Sequence, residues 1–185
     1  MVLLFGNNTR VKGYHVQEYR PVELKHPLKC CDREAWLGFG YYFWHEVEFA
    51  HYWGEDFKIR KNDPGAKSDS YDIYCADLDI ENCLNTVFNE EHYLFFNEVI
   101  EEAIEYCQNK REPVTLEAIN GFLAENVWPK LGIECIIYDD KPTNPRNKDR
   151  KYSKIPDLYY KKRIQIVVFD LKNISNFDLY LEDQK

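Results

Sequence analysis

The sequence predicts an α+β domain. Three observations point there. Two strongly apolar strand-like runs, "GIECIIYDD" and "RIQIVVFDL", lie late in the chain. A long amphipathic helix spans Asn89 to Asn109. The order read along the chain, β…β–α–β–α–α–β–β, groups helices between strands, where a parallel α/β fold would alternate them.

The elements follow in order. "TRVKGYHV" reads as a strand ending in a turn, and "RPVELKHPLKCCD" as a Pro-punctuated loop. "GFGYYFW" fits a short strand. In "EVEFAHYWGEDF" the apolar residues Val47, Phe49, Ala50 and Trp53 recur close to helical spacing, with Gly54 as a C-terminal stop. "KIRKNDPGAKSDSYD" is a loop by composition. "DIYCADLDI" reads as a strand with Ile73, Cys75 and Leu78 inward and Asp72 and Asp77 outward.

The long helix presents Leu94, Phe95, Val99, Ile100, Ala103, Ile104 and Cys107 on one face, with Asn89 as N-cap before acidic residues. A second helix begins near Pro113 or Thr115 and ends at Pro129. The tail "KNISNFDLYLEDQK" adds a short final strand. No repeat is visible, so residues 1–185 read as one domain carrying a helical block over about 89–129.

Composition narrows the function classes. Length suffices for a substantial core, and 16% aromatic residues argue for a packed fold. A formal charge of −8 disfavours a dedicated nucleic-acid surface, although Lys141 to Arg163 carries a local basic excess. That long loop leads directly into one of the best strands, which favours a functional role for it. The six cysteines contain no Cys-x-x-Cys pair, and no signal peptide or membrane span is recognised. A cytoplasmic protein with reduced thiols is the expectation. His45 and His51 lack the i, i+4 spacing of a helical ligand pair, and no metal site is expected.

Three separated segments carry chemistry: a histidine in "GYHV", a glycine-framed aromatic pair in "GFGYYFW", and a polar Gln165 inside the apolar "IQIVV". Each alone has an ordinary explanation. A strand histidine is commonly structural, aromatic strands are commonly core, and Gln165 could face solvent.

Together and in this order they resemble the diphtheria-toxin-like group of ADP-ribosyltransferases, which includes the catalytic domains of poly(ADP-ribose) polymerases. In that group a first strand carries a histidine, as "GYHV" does. A second reads Gly-x-Gly-hydrophobic-Tyr-Phe before a helix, as "GFGYYFWHEVEFAHYW" does. A late strand carries a glutamate in a pattern that "IQIVVFD" matches with Gln in its place. The resemblance covers about half the chain; residues from about Asn89 to Asp140 have no assigned counterpart.

The resemblance implies a split antiparallel sheet around a cleft for NAD+ as substrate. It implies His15, Tyr42 and Gln165 as the catalytic set, with Tyr14 and Val16 beside the histidine and Gly40 and Tyr41 beside the tyrosine. Counted without a gap, Ala50 takes the family's small helix position and Trp53 its second aromatic; a one-residue gap selects Tyr52. "IECIIYDD" also fits the last-strand pattern, which makes Glu134 a rival to Gln165. Gln165 is preferred because the long preceding loop resembles the loop that meets the acceptor.

An amide at that position accepts a hydrogen bond but supplies neither negative charge nor a general base. Transfer of a single ADP-ribose is therefore implied, to a protein or nucleic-acid acceptor. A toxin or defence role with a neutralising antitoxin partner is implied by analogy. Two alternatives stay open: NAD+ hydrolysis, and a module that binds NAD+, ADP-ribose or a partner without turnover.

Overall fold

The longest ladder of the sheet joins β1 (Arg10–Glu18) to β3 (Tyr71–Asp79), antiparallel from Arg10 opposite Asp79 to Glu18 opposite Tyr71. The structure is a computed structural model that describes residues 9–33, 35–59, 70–140 and 162–181. The segments "MVLLFGNN", most of "KIRKNDPGAKSDS" and residues 141–161 of the basic loop lie outside those residues. Of that loop's cations Lys162 and Arg163 are described; they pair with Asp139 and Asp140, each at 3.1 Å.

Beyond β1 and β3 the sheet gains β2 (Tyr41–Trp44), β4 (Cys83–Asn85), β5 (Cys135–Asp139), β6 (Ile164–Val168) and β7 (Ile174–Leu181). The order is β4-β5-β6-β2-β1-β3-β7, seven strands, antiparallel throughout except for the β4–β5 pair. Three helices, α1 (Val47–Ile59), α2 (Glu90–Lys110) and α3 (Leu116–Asn126), and the single turn α4 (Trp128–Leu131) complete the α+β fold.

Alternation along the strands divides the core. Ile166, Val168, Cys135 and Ile137 pack with Phe43, Ala76 and Leu78 on one face. Val167 and Ile136 turn the other way, against Phe96, Val99 and Ala103 of α2, Leu123 of α3 and Trp128 of α4. A third cluster seats α1, through Phe49 and Ala50, on Val16, Trp44, Tyr71 and Ile73. Two helical groups thus cover different parts of the sheet, and a gap opens between them.

Several expectations need correction. β1 continues through His15 to Glu18 where a turn was expected, because β3 pairs with it along its whole length. Gly54 does not stop α1; the helix runs on to Ile59. A Cβ at Gly54 would lie 2.3 Å from the Tyr71 ring, so the residue is glycine for close packing of α1 on β3. Asp72 is 3% exposed where outward placement was expected, since β3 has neighbours on both edges and packing on both faces.

On α2, Leu94 is 52% exposed and Phe96 takes its place among the buried Val99, Ala103 and Cys107. Asn89 caps the helix as expected, its side chain accepting from the His92 N–H at 3.2 Å. Thr115 caps α3, and Pro129 opens the extra turn α4 beyond that helix's end. Reduced thiols throughout were expected; Cys83 and Cys135, directly opposite on β4 and β5, pair as a disulfide, and the other four are free.

Candidate functional site

The β1–β2 ladder is the shortest seam of the sheet. Its one registered pair is Tyr14 opposite Trp44. Beyond Tyr14 no further pair is in register, and His15 joins the two strands with a ring-to-backbone hydrogen bond: its Nδ1 donates to the Tyr42 carbonyl at 2.9 Å. A cleft of about 500 Å3 opens here, a size suited to small ligands and cofactors.

The cleft brings His15, Tyr42 and Gln165 to one lining, with Val16, Trp53, Trp44 and Trp36 around them. Of the remaining sequence-derived positions, Tyr14, Gly40, Tyr41, Ala50 and Tyr52 do not line it. Tyr14 meets Tyr180 edge-on, Tyr41 packs in the opposite core, and Ala50 is fully buried on the sheet-facing side of α1. Tyr52 donates its hydroxyl to Glu48 at 3.0 Å along α1. The ungapped count, which selects Trp53, is the one whose aromatic ring reaches the cleft.

The rival Glu134 is elsewhere. Just ahead of β5, its carboxylate is bound by Lys172, Asn82 and Asn173, and these partners, Lys172 foremost, hold its pKa below the usual carboxylate value. It does not line the cleft.

Each lining residue has a local cause. Gly38 takes a left-handed φ of 79°, which turns the chain into β2, and its carbonyl accepts the Tyr42 hydroxyl at 2.8 Å. The Leu37 N–H donates to the same hydroxyl at 3.3 Å. Burial pushes the Tyr42 phenol upward, with the nearby Cys30 adding to it. With its hydroxyl committed on both sides and its proton tightly held, Tyr42 offers the cleft a half-buried ring. Gly40 lets β2 approach β6: a Cβ there would meet the Val167 side chain at 2.5 Å and the Val168 carbonyl at 3.1 Å.

A carbonyl only accepts, so His15 carries its proton on Nδ1, and Nε2 is left as an acceptor. Nε2 is buried with no partner among the described residues. Burial holds the His15 pKa below its ordinary value, partly countered by the Tyr42 carbonyl and the nearby Gln17 side chain. The ring packs on Phe43 and Phe177 at 5.5 and 6.1 Å between centroids. The result is a fixed, neutral imidazole with one unused acceptor. Leaving such an atom unmet costs about 1–3 kcal/mol.

Gln165 is 6% exposed, opposite Trp44 on β2 and Tyr138 on β5. The solvent-facing reading of it is thereby corrected: strands flank it on both sides, and Trp36 lies against its side chain. Its Oε1 accepts from the Trp36 indole at 3.1 Å. Sequence reasoning missed Trp36, which belongs to no periodic run; the signal that could have found it was a large aromatic in an otherwise polar loop just ahead of the Gly-x-Gly. Lys29 and Asp32, from the same loop, add one charge of each sign to the lining.

No family model, curated protein or solved structure matches the chain.

Proposed function

We propose that the protein binds NAD+ in this cleft and transfers its ADP-ribose to an acceptor. The observation that carries the reading is the convergence of three segments distant in sequence. The histidine, tyrosine and glutamine positions of an ADP-ribosyltransferase-like motif line one cleft, at the short seam between β1 and β2. The ADP-ribosyltransferase-like fold is part of the same proposal.

In that reaction the bond between nicotinamide nitrogen and ribose carbon breaks. Its electron pair goes to the nicotinamide ring and positive charge builds on the ribose. The acceptor then bonds to that carbon and releases its proton. Tyr42, with Trp53 near it, provides aromatic surface for the flat cationic ring of nicotinamide. His15 lines the cleft as a neutral imidazole fixed by its bond to the Tyr42 carbonyl, and stands beside the ribose. Lys29 suits the diphosphate. Gln165 holds the nicotinamide ribose and orients the breaking bond.

A second reading, binding without turnover, is favoured by one observation: the Gln165 oxygen is already engaged by Trp36. Nicotinamide release from NAD+ by purified protein separates the two, with labelled NAD+ tracking transfer to lysate protein or nucleic acid. The proposal expects release that is lost in a folded His15→Ala variant. NAD+ consumption without labelled acceptor would indicate hydrolysis. Binding without release would establish the second reading, and neither binding nor release would refute both.

A further inference from the structure

Trp36 lies outside the motif, yet it reaches its principal residue across 129 positions of chain. An indole N–H donates and never accepts, so the Gln165 atom it meets is the carbonyl oxygen. Chemistry therefore fixes the orientation of this amide. Its nitrogen has no protein acceptor among the described residues and is not among the fully buried unmet atoms, while the side chain lines the cleft. Trp36 is itself held: Tyr138, directly opposite Gln165 on β5, meets the indole edge-on at 4.5 Å.

We propose that Trp36 is a positioning residue that sets the donor–acceptor polarity of the cleft, turning the Gln165 amide N–H2 toward the ligand so that the ligand group bound there is an acceptor oxygen. This deepens the NAD+ reading and rests on it. For NAD+ the group is a hydroxyl oxygen of the nicotinamide ribose. An amide that donates to this oxygen withdraws electron density from the sugar. A carboxylate accepting the hydroxyl proton would do the reverse and favour the positive charge that builds on bond breaking. Trp36 thus holds the site in a form that binds NAD+ and cleaves it more slowly than a carboxylate at position 165 would. In Gln165→Glu one carboxylate oxygen keeps the indole bond and the second is free for the hydroxyl.

The test follows the side-chain N–H resonances of nitrogen-15-labelled protein during NAD+ titration, alongside nicotinamide release. The Trp36 indole proton is expected downfield in wild type relative to Gln165→Leu, and unmoved by NAD+. The Gln165 amide protons move downfield as NAD+ binds. Gln165→Glu raises kcat for nicotinamide release at least tenfold with KM within about threefold, and Trp36→Phe, which frees the amide to turn over, gives a smaller rise. An indole proton that moves upfield on NAD+ addition means the amide has turned its oxygen to the ligand, which overturns the proposal. So does an indole resonance identical in wild type and Gln165→Leu, or a slower Gln165→Glu. Absence of NAD+ binding would overturn the nucleotide reading and the ligand half of this proposal together. The ligand-free comparison of wild type with Gln165→Leu still decides the role of Trp36.

Discussion

Gly54→Ala sets two known effects against each other inside α1. In a helix interior, alanine is favoured over glycine by about 1 kcal/mol. At Gly54 the added methyl would lie 2.3–2.5 Å from three atoms of the Tyr71 ring. That ring is 1% exposed, and its hydroxyl is tied to Glu55 and His51, each at 3.2 Å, so it has little room to yield. Overpacking of this kind costs about 1–3 kcal/mol, and a rigid ring belongs at the upper end. The net expectation is a loss of about 2 kcal/mol. For a chain of this size that is roughly 4–8 °C in Tm.

Gly121 is the internal control. It also lies in a helix interior, but nothing sits within 4 Å of its virtual Cβ. Gly121→Ala should therefore gain about 0.5–1 kcal/mol. Thermal melts followed by circular dichroism, with urea titrations for the free energies, measure both. Opposite signs are required. If Gly54→Ala melts at or above the wild-type temperature, α1 does not rest on β3 at the distance described, and the placement of the adjoining Trp53 in the cleft falls with it.

Three further outcomes are expected. Because burial lowers the His15 pKa, the unfolded chain takes up a proton as pH falls below about 6.5 while the folded chain resists it. Stability is whole above that pH and declines as pH drops toward the folded value. His45 is shifted the same way, so urea unfolding at pH 7.5 and 5.5 should show a smaller loss in His15→Gln, not none; equal losses would count against the buried neutral imidazole. In calorimetric titration with NAD+, Trp53→Ala should weaken binding about 5–10-fold, the value of one aromatic stack. Tyr52→Ala should stay within about twofold, and the reverse ranking would restore the gapped count. Asn89→Ala should cost about 1 kcal/mol through the lost cap of α2, read as a Tm drop of about 2–4 °C, with Asn89→Asp close to wild type.

Much of the architecture was legible because local signals agreed with the tertiary outcome. The 3.6-residue period and the Asn89 cap located α2 to within a residue at each end. β6 was legible as a continuous apolar run because both of its faces are covered. The same two-sided burial misled the reading of β3, where alternation predicted an outward Asp72 that the sheet in fact encloses. β4 has three residues and pairs in parallel with a strand 52 positions away through Cys83 and Cys135, information that no local window contains. Gly54 failed for a related reason: glycine is a stop signal in one dimension, and its use here depends on a ring from another element.

The site divides along the same line. His15, Tyr42 and Gln165 could be nominated from short patterns because each stands in a strand whose neighbours constrain its composition. What makes them one site is a set of hydrogen bonds that no pattern records: His15 to the Tyr42 backbone, the Tyr42 hydroxyl to Gly38, and Trp36 to Gln165. The first ties β1 to β2, and the second holds the Tyr42 phenol proton against the turn that enters β2. The third engages the oxygen that a resemblance alone would have offered to the ribose. Glutamine in a glutamate position reads, in sequence, as a loss of charge. With Trp36 beside it the change goes further: the indole holds the amide oxygen, so the same position presents a donor where a carboxylate would present an acceptor.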